Sequence, residues 1–217
     1  SLKKEGVEVR VILPKYSTMP NYLKEKLKEV AVFSVNVGWR KQYCGLLEME
    51  LNGIKFYFID NEYYFKRNAL YGDFDDGERF AYFCSAVIKM MEVTGFYPDI
   101  LHANDWQTAL TVIYLKTEFA DHPSLSGIKT VYTIHNIEYQ GKYSLDILED
   151  LFGISSEYKG LLEFDGCINL MKGAIECSEK FSTVSPTYAN EIKTAQYAHG
   201  LQSVICKNAG NRLRISG

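Results

Sequence analysis

The chain has 217 residues, 47% hydrophobic and 24% charged, which suits one large domain with its own core. A net charge of −3 and a pI near 5.9 argue against nucleic acid and anionic membrane as partners. No apolar run spans a bilayer and no signal peptide opens the chain; five cysteines without CxxC spacing point to a reduced, cytoplasmic protein.

Residues 1–6 read as the last turn of a helix with Gly6 as its C-cap. Residues 7–13 alternate and then run apolar, a strand closed by Pro14. A loop over 14–22 and a short helix over 23–29 follow. Three β-like runs come next, at 30–37, 43–51 and 54–59. Asn52-Gly53 between the last two is a hairpin signal, because both residues tolerate positive φ. These strands are expected to be antiparallel, as a ribbon or sheet edge. Residues 60–76 form a loop longer than ten residues, of the kind that is functional or disordered. Its acidic patch, Asp73, Asp75 and Asp76, reads most simply as solvated, with Asp76 capping a helix over 77–93. Phe80, Phe83, Cys84, Val87, Ile88 and Met91 recur there at helical spacing, and Gly95 ends the helix.

Strand and helix then alternate: strands at 100–102, 129–134 and 181–184, helices at 106–119, 167–177 and 186–194. That order predicts right-handed βαβ units and an α/β fold. The strands at 7–13, 100–102, 129–134 and 181–184 are expected in one parallel sheet with helices on both faces. The tail over 206–217 is basic and shows no period.

Two polar clusters close successive strands: His102-Ala-Asn-Asp-Trp-Gln107 and Thr133-Ile-His-Asn-Ile-Glu-Tyr-Gln-Gly141. Ligands of open α/β sheets bind at the carboxyl ends of strands. Asp105 is an obvious N-cap for the next helix, which leaves His102 and Asn104 in the same turn unexplained. His135, Asn136, Glu138, Tyr139 and Gln140 form a dense donor and acceptor set of the kind that reads sugar hydroxyls. His102, Asp105 and His135 are also legitimate metal ligands, but they lack close metal-site spacing, so no metal and no cofactor is expected. Walker, Gly-x-Gly-x-x-Gly and Gly-x-Ser-x-Gly motifs are absent. Ser185 is expected to cap the helix that begins at Pro186, at a third polar strand end.

Leu101-His-Ala-Asn-Asp-Trp-Gln-Thr108, Thr133 to Gly141, Thr183-Val-Ser-Pro-Thr-Tyr-Ala189 and Asp76-Gly-Glu-Arg-Phe-Ala81 closely resemble the bacterial glycogen synthases and plant starch synthases. Gly160 to Gly166, running into Asn169 to Gly173, is similar to the same family. The resemblance runs in order from about Lys3 to Leu201. It implies a Rossmann-like domain, one half of a two-domain GT-B glycosyltransferase, which transfers glucose from ADP-glucose to an α-1,4-glucan with retention. It implies that His135 and Asn136 contact the donor glucose and that Asp105 lines the pocket, with His135 and Asp105 as the catalytic pair. His102 and Tyr71 are further binding candidates, and Gln140 and Gly141 shape the loop beneath the sugar. Residues 1–217 correspond to a single acceptor-side domain. The family's Lys-Thr-Gly-Gly-Leu loop and central first strand are expected before Ser1, and its nucleotide-binding C-terminal domain after Gly217. On that reading the chain alone is inactive. A carbohydrate-binding domain without chemistry and a metal-dependent hydrolase stay open as alternatives.

Overall fold

The first turn ends as its glycine predicts. The computed structural model describes residues 2–215, and in it a 3-10 turn at Leu2–Glu5 stops at Gly6, with φ 80°. The Gly6 N–H donates to Lys3 O and the Val7 N–H to Leu2 O, the paired bonds of a Schellman stop. Strand β1 (Arg10–Pro14) follows, then a one-turn helix, α1 (Asn21–Lys24). Next come three long strands, β2 (Lys28–Val37), β3 (Arg40–Leu51) and β4 (Ile54–Asp60). The helix expected over 23–29 shrinks to that single turn, because Lys28 and Glu29 already pair with β3.

Asn52 and Gly53 take φ of 52° and 71°, so two positive values in a row turn β3 back onto β4. A one-turn helix, α2 (Glu62–Phe65), and the long α3 (Asp76–Thr94) complete the first of two compact units, Ser1–Thr94. Phe80, Phe83, Cys84, Val87, Ile88 and Met91 are all buried, as their spacing predicts.

The acidic patch ahead of α3 is not a solvated run. Arg79, fully buried, donates to Asp76 Oδ1 at 2.5 Å, Asp73 Oδ2 at 2.9 Å and the Tyr64 carbonyl at 2.7 Å. Arg67 pairs with Asp75 at 2.7 Å. Asp76 does not cap its helix; its Oδ2 accepts the Gly72 N–H at 2.6 Å and so ties the loop down. A buried guanidinium needs such partners, since an uncompensated charge there costs several kcal/mol, on the order of 3–5 when one partner is removed.

The second unit, Gly95–Gly217, carries the βα alternation. It begins with β5 (Ile100–Asn104), α4 (Asp105–Lys116) and β6 (Lys129–Ile134). The stretch after β6 folds into β7 (Lys142–Tyr143), α5 (Ile147–Asp150), α6 (Lys159–Leu162), β8 (Glu163–Phe164) and β9 (Cys167–Asn169). Helix α7 (Leu170–Cys177), β10 (Lys180–Thr183), α8 (Pro186–Glu191), α9 (Gln202–Arg212) and β11 (Leu213–Ile215) finish it. The helix expected over 167–177 starts three residues late, because 167–169 pair antiparallel with β7 and β8, and Asn169 then caps α7. The tail holds α9 and β11, although its sequence shows no period; residues 216–217 lie outside the described residues.

Sheet order corrects one expectation. Strands β5, β6, β10 and β11 form a parallel sheet in the order β11-β10-β6-β5. Strand β1 does not join them; it pairs parallel with β4, at the end of a mixed sheet ordered β1-β4-β3-β2. The reason lies in β4, whose second edge is left open by the β3 hairpin and takes β1. Strands β1 and β5 thus each end a ladder and keep one backbone edge unpaired among the described strands.

Candidate active site

Asp105 opens α4 in the left-handed region, with φ 57°. A non-glycine residue there is uncommon, and Asp and Asn are among the few that tolerate it. The expectation of an N-cap fails: Asn104 is the cap residue, and no side-chain cap bond is made from it. The Thr108 hydroxyl serves that end of α4 instead. It accepts the Asn104 N–H at 2.6 Å and donates to the Asn104 carbonyl at 2.7 Å.

Released from its own helix, the Asp105 carboxylate reaches across to the end of β6. The His135 N–H donates to Asp105 Oδ1 at 2.8 Å, and the Asn136 N–H to the same oxygen at 3.4 Å. The His135 imidazole is held from the other side, with Nε2 2.9 Å from Asn104 Oδ1. A carbonyl oxygen accepts, so Nε2 is the donor in this contact. The Asn136 carboxamide oxygen accepts the Glu138 N–H at 3.0 Å, a local turn that leaves its NH₂ group available. His135 and Asn136 are both exposed, so two successive strand ends present one polar surface.

The loop beneath is rigidly supported. Ile137 is buried, and its N–H donates to the Tyr188 hydroxyl at 2.9 Å. Tyr188 lies in the first turn of α8, where Ser185 accepts the Tyr188 N–H at 3.0 Å as the expected cap. Gln140 is buried; its NH₂ donates to the Ile137 and His199 carbonyls at 3.0 and 2.9 Å, and its oxygen accepts from Asn169 at 2.7 Å. The Gln140 carboxamide is thus engaged with the loop's own backbone, with His199 and with Asn169. Gly141 has φ 66°, and a Cβ there would lie 2.8 Å from Trp106 Cε3 and 3.2 Å from Leu170 Cβ. The Gly141 and Gln140 carbonyls accept the first two N–H groups of α7, Leu170 and Met171.

His102 sits on β5 two residues before Asn104, hence on the same sheet face. Its Nε2 lies 2.6 Å from Thr133 Oγ1, which shares a 2.7 Å bond with Ser182 Oγ, so a polar ladder crosses three strands. The residue is exposed overall, but this ring edge is turned into the ladder. Loss of water there, and then the neighbouring His135, pull the His102 pKa below the usual 6.5. Tyr71 belongs to the first unit. It is half-exposed, on the loop that the Arg79 and Asp76 bonds anchor at Gly72.

His102, Asp105 and His135 do not gather as a metal-ligand set among the described residues. The acidic set that does gather, Asp73, Asp75 and Asp76, is occupied by Arg67 and Arg79. Two supports escaped the sequence reading of site residues, Thr133 and Tyr188, while Asn104 was marked in the polar turn without a role. Their polar character at strand ends was the available signal.

Residues 1–207 match the family model for the starch synthase catalytic domain. The chain is 52% identical over 215 residues to the glycogen synthase of Clostridioides difficile, covering 96% of this chain and 45% of that protein. It is 49% identical over 208 residues to the Clostridium novyi glycogen synthase, covering 94% and 43%. The fold superimposes on the catalytic domain of starch synthase IV from Arabidopsis thaliana, solved with ADP and acarbose, at a TM-score of 0.88 and 29% identity. That match takes in 99% of this chain and 45% of the plant chain, a GT-B glycosyltransferase. The chain thus spans under half the length of the relatives it matches.

Proposed function

The chain belongs to the starch synthase catalytic-domain family, and on that premise we propose that it forms the acceptor-side domain of a retaining glucosyltransferase. The whole protein moves glucose from ADP-glucose to the non-reducing end of an α-1,4-glucan, in the cytoplasm. Both units belong to that one domain in this reading. The observation that carries it is the Asp105 latch on the His135 and Asn136 amides.

In such a transfer, positive charge grows on the anomeric carbon and ring oxygen while the leaving diphosphate gathers negative charge. The latch fixes the 135–136 backbone before the sugar arrives. His135, with Nε2 committed to Asn104, is held in one ring orientation and offers Nδ1 and its backbone to the glucose. The Asn136 NH₂ adds a donor for a sugar hydroxyl. Asp105 places a carboxylate beside the developing cation. His102 and Tyr71 are further sugar or nucleotide contacts, whereas Gln140 and Gly141 set the loop's shape. The cations that neutralise the departing diphosphate come from the second domain, whose closure also excludes water.

The test is initial-rate transfer of labelled glucose from ADP-glucose to glycogen, by the complete encoded protein and by residues 1–217 alone. Turnover by the first and none by the second is expected. Glucan binding without transfer by the complete protein would favour a non-catalytic carbohydrate-binding domain.

A further inference from the structure

Tyr132 is the fourth of the six residues of β6 and is fully buried. Its hydroxyl has no hydrogen-bond partner within the protein, alone among the buried side-chain polar atoms of the described residues. An unpaired hydroxyl in a dry core costs on the order of 1–3 kcal/mol, so a sequence that keeps one has a use for it. A phenylalanine would fill the same space without that cost.

Strand alternation shows where the ring is not. Thr133, the next residue, belongs to the polar ladder with His102 and Ser182, so Tyr132 projects from the opposite sheet face. Its in-register neighbour on β5 is Ala103, two residues before Asp105. Helix α4, which Asp105 opens, packs on β5 and β6. Tyr132 therefore shares a sheet face with Ala103, whose chain runs on into Asp105 and α4. Its burial, and after it the negative charge of Asp105, push the Tyr132 hydroxyl well above its ordinary pKa, which keeps it a neutral donor. Asp105 Oδ1 takes two backbone N–H groups, and among the described residues the second carboxylate oxygen has no hydrogen bond of its own.

We infer that Tyr132 is a positioning residue for Asp105: its hydroxyl donates toward the second carboxylate oxygen, across one ordered water or after a small rotation of either side chain. The carboxylate is then gripped from two sides, by the 135–136 amides and by the phenol, and cannot swing away from the loop it holds. Tyr132 touches no substrate; it acts through Asp105. The kinetic consequence rests on the proposed glucosyl transfer, whereas the structural one does not.

The test is Tyr132→Phe with two readouts. Amide hydrogen exchange on residues 1–217 should speed up at His135 and Asn136 by roughly tenfold, the effect of losing one hydrogen bond to a charged group, while Val131 is unchanged. In the complete protein, kcat should fall roughly three- to tenfold with the glucan KM unmoved. Both effects should vanish when Tyr132→Phe is made on top of Asp105→Ala, since the residues act as a pair. Unchanged exchange with equal or raised stability in Tyr132→Phe would overturn the inference. So would an effect that persists without the Asp105 carboxylate. Faster exchange with normal turnover would keep the positioning role and count against the catalytic reading of the loop.

Discussion

The Asp105 carboxylate accepts the backbone N–H of His135 at 2.8 Å, across thirty residues of chain and from one strand end to the next. It does so from a left-handed backbone that its own helix start would not otherwise require. Observed strain of this kind points toward function, since it persists only where its surroundings hold it.

Two substitutions at this position separate its jobs. Asp105→Asn keeps an acceptor oxygen and the tolerance for positive φ, so the thermal midpoint of residues 1–217 should barely move. Asp105→Ala loses both and should cost about 1–3 kcal/mol, read by denaturant unfolding. Equal stability of the two variants would show that the latch contributes nothing to the fold.

Gly141→Ala is expected to be among the most damaging small changes in the loop. Its φ of 66° disfavours any side chain, and the new methyl would meet Trp106 and Leu170, both in the core. A loss of about 1–3 kcal/mol in unfolding free energy is predicted. The same variant at Gly160, where a Cβ meets nothing within 4 Å, is the control.

Much of this was legible in the sequence. The Asn52-Gly53 turn, the Ser185 cap and the βα order after Gly95 are local signals, and local chemistry decides them. What was not legible depends on distant partners. Asp105 looks like an N-cap in any short window, and only its φ and the end of β6 reveal the latch. Gln140 sits in a polar run, yet it is buried because His199, 59 residues on, supplies a carbonyl for its amide. The Asp73–Asp76 patch reads as solvated in sequence because nothing local marks Arg79 as a buried counter-ion. The pairing of β1 with β4 is a choice among edges, which periodicity does not encode.

Glu179 joins three elements. Its carboxylate accepts from Lys116 Nζ at the end of α4 and from the Thr130 N–H and hydroxyl at the start of β6, at 2.5, 2.6 and 2.5 Å, just before β10. Desolvation pushes its carboxyl up, but the bonds from Lys116 and Thr130 outweigh it and hold the pKa at about 2, against an ordinary 4.5. A depressed folded value means that the contribution is present above 4.5 and is lost as pH falls from there toward about 2. Glu179→Gln should therefore lower stability at pH 7 and flatten the acid limb of the unfolding curve in that window. An unchanged limb would contradict the assignment.

The titration of His102 should report on His135. Burial first, and the proximity of His135 second, keep His102 below 6.5. The neutral ring is favoured on folding, so this contribution is present above 6.5 and fades as pH falls below it. Following the imidazole Cε1–H signals by NMR, His135→Gln should raise the His102 midpoint without fully restoring the ordinary value. A His102 midpoint indifferent to His135 would separate the two strand ends electrically.

The most direct test is the steady-state rate of glucosyl transfer from ADP-glucose to glycogen by the complete protein, with and without His135→Ala. His135 is proposed to act at the reacting sugar and not in holding the polymer. Its loss should lower kcat by roughly 10²-fold or more, the scale of removing one preorganised group at a developing charge, with the glycogen KM nearly unchanged. A His135→Ala enzyme with full kcat, or one impaired only in KM, would contradict the account.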